Sequence, residues 1–247
     1  MLKRFLLIAA VLVPGGAALA QDAGVPLLHA GTDINDVQSL QRGARDFMNY
    51  CSGCHSLQYL RYSRMAKDLR IPPAELAGNL LFTSTKPLDH IKSAMPAADA
   101  VNWFGNAPPD LTLMARYMGV DYIYSFLKGF YADKSRLWGV NNLYKPNVAM
   151  PFVLAPLQGV QKPVYKSVTD PAGHAGMELT GVAPMAPGSM TPEQYDQFVR
   201  DIANFLDYAA EPIKAKRETI GIFVTLFLLV FFAFTYLLKK EYWKDVH

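Results

Sequence analysis

Two cysteines and five histidines are all that this 247-residue chain contains. So few thiols leave nothing for a disulfide framework. Charge is also scarce, at 18% of residues against 51% hydrophobic, which turns attention to membrane segments before anything else. The chain has no internal repeat and no low-complexity tract. What it does have is two apolar runs, one at each end, and a very uneven placement of its cysteines.

The first run lies in MLKRFLLIAAVLVPGGAALA. Lys3 and Arg4 precede a short apolar stretch, Phe5 to Val13, and Ala18-Leu19-Ala20 offers a small-x-small cleavage site. Residues 1–20 read as a secretory signal peptide, too short and too soon broken by Pro14-Gly15-Gly16 to be a spanning helix. The second run, Ile220 to Leu238, has 19 residues and no charge. At ~1.5 Å per residue it spans roughly 28 Å, close to a hydrocarbon core. Lys214, Lys216 and Arg217 flank one end, and Lys239, Lys240 and Lys244 the other, with Tyr236, Tyr242 and Trp243 suited to an interfacial belt. Cations on both sides leave the orientation open, and the signal peptide sets it. Residues 21–213 are expected outside, residues 214–247 as a transmembrane anchor (span 220–238), and a short tail inside.

The net charge of +3 belongs to the two ends. Without their eight cations and three anions, the totals of 24 and 21 fall to 16 and 18, so the exported part is about −2. The basic balance of the chain is therefore no argument for a nucleic-acid partner.

Both cysteines fall in CSGCHS, residues 51–56. Three chemistries compete for Cys51, Cys54 and His55. A thioredoxin-like redox pair lacks a βαβ pattern and has no use for the histidine. A zinc site needs a fourth ligand, and adjacent ligands at 54 and 55 strain one tetrahedron. Covalent haem attachment uses every residue: two thiols one helical turn apart form thioethers with the two vinyl groups, and the next residue presents an imidazole to the iron. One haem c, covalent through Cys51 and Cys54, is the reading preferred. His55 is then expected to be neutral, with its other ring nitrogen held by a carbonyl.

The surroundings suit such a site. Apolar residues at 37, 40, 44, 47 and 48 give a helical face over Asp36 to Tyr50 that runs into the motif. Residues 72–110 and 139–190, rich in proline, read as loop. Asp110 reads as the cap of a helix beginning LTLMARY, VDYIYSFLKGFYAD (120–133) as an aromatic helix, and 191–212 as an amphipathic helix with Thr191 as N-cap and Pro192 in its first turn. A sixth iron ligand would be a methionine from a braced loop, Met150 in NVAMPFVLAP or Met185 in GVAPMAPGSM. Position before the last helix favours Met185.

The chain resembles the cytochrome c1 family, the haem subunits of bacterial ubiquinol–cytochrome c oxidoreductase (respiratory complex III). The carriers are SLQRGARDFMNYCSGCHSLQYLRY, APPDLTLMARYMGVDYIYSFLKGFY, NVAMPFVLAPLQG and FVRDIANFLDYAAEP with the tail anchor after it. The resemblance implies a mainly α fold, a c-type cytochrome domain with long loops plus one C-terminal transmembrane helix. It moves the axial ligand to Met150, because the family draws it from an A-M-P loop. It implies that Asn106, Ala107, Pro108, Pro109, Tyr122 and Leu127 line the haem. It also sets Arg116 against a propionate, although this chain is about two residues shorter there. Some bacterial members carry a further disulfide, for which this chain has no cysteines.

The function implied is outer-sphere electron transfer, from a Rieske iron–sulfur protein to a soluble or membrane-bound cytochrome c. The partners implied are cytochrome b and the lipid membrane, within a dimeric complex. The place implied is the bacterial inner membrane, with the haem domain in the periplasm and the C-terminus cytoplasmic. The competing class is a membrane-anchored c-type haem enzyme, a peroxidase or reductase with an open sixth position. It would need a distal acid–base residue, and His29, His90 and His174 are the exported histidines left for that role. A third class, an exported dithiol oxidoreductase, would have free reactive thiols. Phe223, Phe227, Phe231 and Phe234 cluster on one face of the anchor, toward either protein or lipid.

Overall fold

The computed structural model describes residues 25–169 and 175–245. The signal peptide expected at 1–20 and His174 lie outside the described residues. Helix α1 is Val37–Tyr50, started by the Asp36 carboxylate, which accepts from Ser39 N at 3.0 Å. Its buried face carries Leu40, Ala44, Phe47 and Met48, as the spacing predicts. The chain then continues through β1 (Leu57–Arg61), α2 (Tyr62–Asp68), α3 (Pro73–Asn79), β2 (His90–Ile91) and α4 (Ala97–Phe104). Next come α5 (Met114–Met118), α6 (Val120–Lys128), β3 (Phe130–Ala132), β4 (Val140–Asn142) and α7 (Ala155–Gln158). The last elements are β5 (Gly159–Thr169), β6 (Ala175–Pro187), α8 (Pro192–Ala210) and α9 (Lys214–Tyr242). The strands form three antiparallel pairs, β1–β2, β3–β4 and β5–β6.

The core is the seam between α1 and α8. Thr191 and Gln194 form a capping box at the start of α8: Thr191 Oγ1 accepts from Gln194 N at 3.3 Å and Gln194 Oε1 from Thr191 N at 2.9 Å. The two helices meet at Gly43, where a Cβ would lie 2.0 Å from the Asp201 carbonyl oxygen, so only glycine permits the approach. Phe47 and Phe205, both fully buried, pack beside it with ring centroids 5.7 Å apart and planes tilted by 52°. Burying each such ring is worth about 1.5–3 kcal/mol. The Asp201 carboxylate sits buried in the same seam and is fully engaged. It accepts from Arg42 Nε at 2.6 Å, Ser39 Oγ at 2.6 Å and Gln197 Nε2 at 2.9 Å. Helix α6 docks on α8 through Tyr195, whose hydroxyl donates to the Leu127 carbonyl at 2.9 Å.

Several loop expectations give way to regular structure. Residues 72–110 hold α3, β2 and α4. Pro72 and Pro96 are the N-cap residues of α3 and α4, with Pro73 inside the first turn of α3. There the missing N–H costs nothing, so prolines read as breakers act as starters. Residues 139–190 hold the β5–β6 ribbon, of 11 and 13 residues. A two-stranded ribbon has two free edges, and such a ribbon accommodates prolines at 163, 184 and 187. Asp110 caps no helix, because α5 starts at Met114 with Leu113 as N-cap. Helix α6 stops at Lys128 and Gly129, and the chain turns into β3 instead of continuing to 133.

Helix α9 runs for 29 residues and is the one helix among the described residues long and apolar enough to cross a membrane. It contains the span expected at 220–238 and starts six residues earlier. None of its residues is buried against the rest of the chain.

Candidate functional site

The motif turn grows out of the end of α1. Cys51 is the C-cap residue, its N–H on the Phe47 carbonyl at 2.8 Å. Cys54 N and His55 N then both donate to the Cys51 carbonyl, at 3.0 and 2.8 Å. One turn therefore sets the two thiols and the imidazole in sequence. No disulfide joins the cysteines, and both are half-buried. Burial, helped by the nearby Asp46 charge and by Cys54, pushes the Cys51 thiol up to about 12, and burial raises Cys54 as well. A reactive dithiol needs the reverse.

Two outside segments strap this turn. Ser93 Oγ donates to the Gly53 carbonyl at 2.7 Å, and Ser93 N donates to Ser56 Oγ at 2.8 Å. On the other side the Pro109 carbonyl lies 2.8 Å from His55 Nδ1, and Leu111 N donates to the Ser56 carbonyl at 2.9 Å. Burial lowers the His55 value, opposed by the Pro109 bond and the Asp110 charge, so the ring is neutral at pH 7. A neutral ring donating Nδ1–H to a carbonyl turns a lone pair on Nε2 toward whatever binds there. The carbonyl expected at this ring is thus Pro109.

Other expected residues fall in three groups. Asn106, Ala107, Pro108 and Pro109 form the segment between α4 and the strap, mostly exposed. Tyr122 heads a line of rings: it stacks on Phe126 at 6.1 Å, Phe126 meets Phe130 at 5.1 Å, and Phe130 stacks on Phe152 at 4.6 Å and 10°. That line ties α6 to the turn carrying Met150, which is half-buried two residues before Phe152. Leu127 is a buried core residue beside α8. Met185 is no loop residue. It sits at a bulge in β6, opposite Val160 and Gln161, and is 57% exposed.

Arg116 is exposed on α5. Its charge acts on Glu211 at the end of α8, where the hydrogen bond from Arg217 does most to hold the carboxyl below its ordinary value. The remaining described histidines are engaged elsewhere. His29 Nδ1 faces Asp121 at 3.2 Å, and His90 Nδ1 lies 2.5 Å from the Gln58 carbonyl. Sequence reading missed Ser93 and the strap role of Asp110. Neither carries a local signal, since their partners are 40 and 52 residues away.

The motif turn fits a covalently held haem: two unpaired thiols one turn apart and an oriented neutral imidazole. Residues 30–246 match the family described as Cytochrome C1 family. The chain is 50% identical, over the full length of both, to cytochrome c1 of Allochromatium vinosum. It is 41% identical to the ammonia monooxygenase gamma subunit of Nitrosomonas europaea, over 99% of this chain and 98% of that one. It is 28% identical to cytochrome b/c1 of Bradyrhizobium diazoefficiens, over 86% of this chain and 34% of that longer one.

Proposed function

The chain belongs to the cytochrome c1 family, and from that premise we propose that it takes electrons from a Rieske iron–sulfur protein and passes them to a cytochrome c. As a member it is a membrane-anchored c-type cytochrome of a bc1-type complex, carries covalent haem c and works beside cytochrome b. The haem supplies a one-electron centre. In this reading Cys51 and Cys54 bond it, His55 and Met150 ligate its iron, and α9 holds the domain on the periplasmic face of the inner membrane.

The observation that carries the reading is the His55 Nδ1 to Pro109 contact at 2.8 Å. It fixes the tautomer and the plane of the ring, leaving Nε2 as the ligand nitrogen, and it strengthens that nitrogen as a donor. Met150 is preferred over Met185 because it is half-buried on a turn braced by Phe152, whereas Met185 stands exposed on a ribbon. A weak thioether bond needs a ligand that neither water nor strand motion displaces. Asn106 to Pro109, Tyr122 and Leu127 are proposed to border the haem. Arg116 is proposed to lie against a propionate, as the resemblance implies.

The competing enzyme class finds little support in the described histidines, since His29 faces Asp121 and His90 the Gln58 carbonyl. Stopped-flow absorbance of the haem in isolated membranes tests the proposal, after adding quinol with and without an inhibitor of quinol oxidation. Reduction within milliseconds to seconds, blocked by the inhibitor, is expected. Inhibitor-insensitive reduction would assign the haem to another partner, the kind of role that the relative named for ammonia monooxygenase raises.

A further inference from the structure

His55 is held from outside its own motif, and the grip has one hub. Asp110 follows Pro109 directly, and its two carboxylate oxygens bond two separate backbone amides. Oδ1 accepts from Thr112 N at 2.9 Å and Oδ2 from Gln58 N at 2.8 Å. The bond to Gln58 crosses to the strand that begins two residues after His55. With the Leu111 N to Ser56 O bond it staples the Pro109 segment onto the motif turn. Asp110 starts no helix, so capping does not account for this geometry. Two charge-assisted bonds on one carboxylate are strong enough to fix a carbonyl against a ring.

We infer that Asp110 is a positioning residue for electron transfer: by clamping Thr112 and Gln58 it holds the Pro109 carbonyl on His55 Nδ1, and through that contact sets the reduction potential of the iron. The inference rests on the reading of His55 as an iron ligand. A firm Nδ1–H to carbonyl bond makes Nε2 a better donor, which favours the ferric state. Loosening the clamp weakens that donation and raises the potential. The carboxylate charge near the ring acts in the same direction, so charge and geometry must be separated by experiment.

Three variants of the full, haem-bearing chain separate them in a potentiometric titration. Asp110→Asn removes the charge and one of the two acceptors, since its Nδ2 can only donate. Asp110→Glu keeps the charge and lengthens the clamp by one methylene. Asp110→Ala removes both. The expected result is a rise with Glu equal to at least a threefold shift of the reduction equilibrium, about 28 mV for one electron, a larger rise with Asn, and the largest with Ala, near tenfold or about 59 mV. A merely structural role would lower the melting temperature and leave the potential in place. An unshifted Glu variant overturns the clamp. If Ala fails to retain haem, the Glu variant decides alone. A wild-type haem without a histidine ligand in its ferric spectrum would instead defeat the reading of His55, whatever the variants did.

Discussion

Helices α8 and α9 are separated by three residues and could hardly differ more. Of the 19 residues of α8, 13 are buried, among them Asp201, Asn204 and Asp207. Of the 29 in α9, none is. α8 has a polar face and an apolar one, and protein covers the apolar one. α9 is apolar all round through its span, so no single protein surface could satisfy it and lipid must supply most of the solvent. The contrast teaches that burial within the chain and hydrophobicity are separate quantities. The most apolar segment contributes nothing to the core, while a helix with three buried polar side chains is its centre.

The sharpest way to break the contrast is to end the chain after Ile213. The truncated chain is expected to leave the membrane entirely and to keep its haem spectrum, read by fractionation and haem-stained gels. Material still pelleting with washed membranes would mean that the haem domain is itself an anchor. Next comes the α1–α8 seam. Gly43→Ala drives a methyl group to within 2.0 Å of the Asp201 carbonyl, where backbone cannot step aside. A loss of about 3 kcal/mol in chemical denaturation is expected, and a loss under 1 would mean that the seam is looser than described.

A smaller effect should come from the outer edge of α8. Burial opposes the charge on Asp196, and hydrogen bonds from Lys128, Tyr124 and Arg200 outweigh it, holding the carboxyl well below the usual range. A depressed carboxylate stabilises the fold above its unfolded value, and that contribution fades as pH falls toward the folded one. Asp196→Asn is therefore expected to cost about 2 kcal/mol at pH 7, with the gap to wild type closing in acid below the ordinary carboxylate range. A gap that stays constant with pH would remove the electrostatic account. The smallest change is expected in α9. Phe227, 65% exposed and stacked on Phe231, should tolerate Phe227→Leu with less than about 0.5 kcal/mol on the melting of the chain. A fall in assembled complex at unchanged melting would mark that face as covered by protein and not by lipid.

Much of this arrangement could be read beforehand because its causes are local. The apolar spacing of α1, the Thr191 and Gln194 box of α8 and the uncharged run of α9 each carry their signal within a few residues. CSGCHS is legible for the same reason, with all its chemistry inside one turn. Other features have distant causes. Pro72 and Pro96 look like breakers until the helices after them are seen. The β5–β6 ribbon hides because its pairing partners are up to 28 residues apart, as Gly159 and Pro187 are, and prolines on its edges mimic loop.

The sequence by itself determined the chemistry available: two thiols and an imidazole in one turn, a segment for the membrane, and two amphipathic helices that must find each other. Tertiary structure alone decided what that chemistry is set to do. The Pro109 carbonyl, the Asp110 clamp and the Ser93 strap reach His55 and its turn from 40 to 54 residues away. A hydrogen bond depends on distance and angle to within tenths of an ångström. Such a placement is fixed by how the whole core packs and is written in no short stretch of the chain.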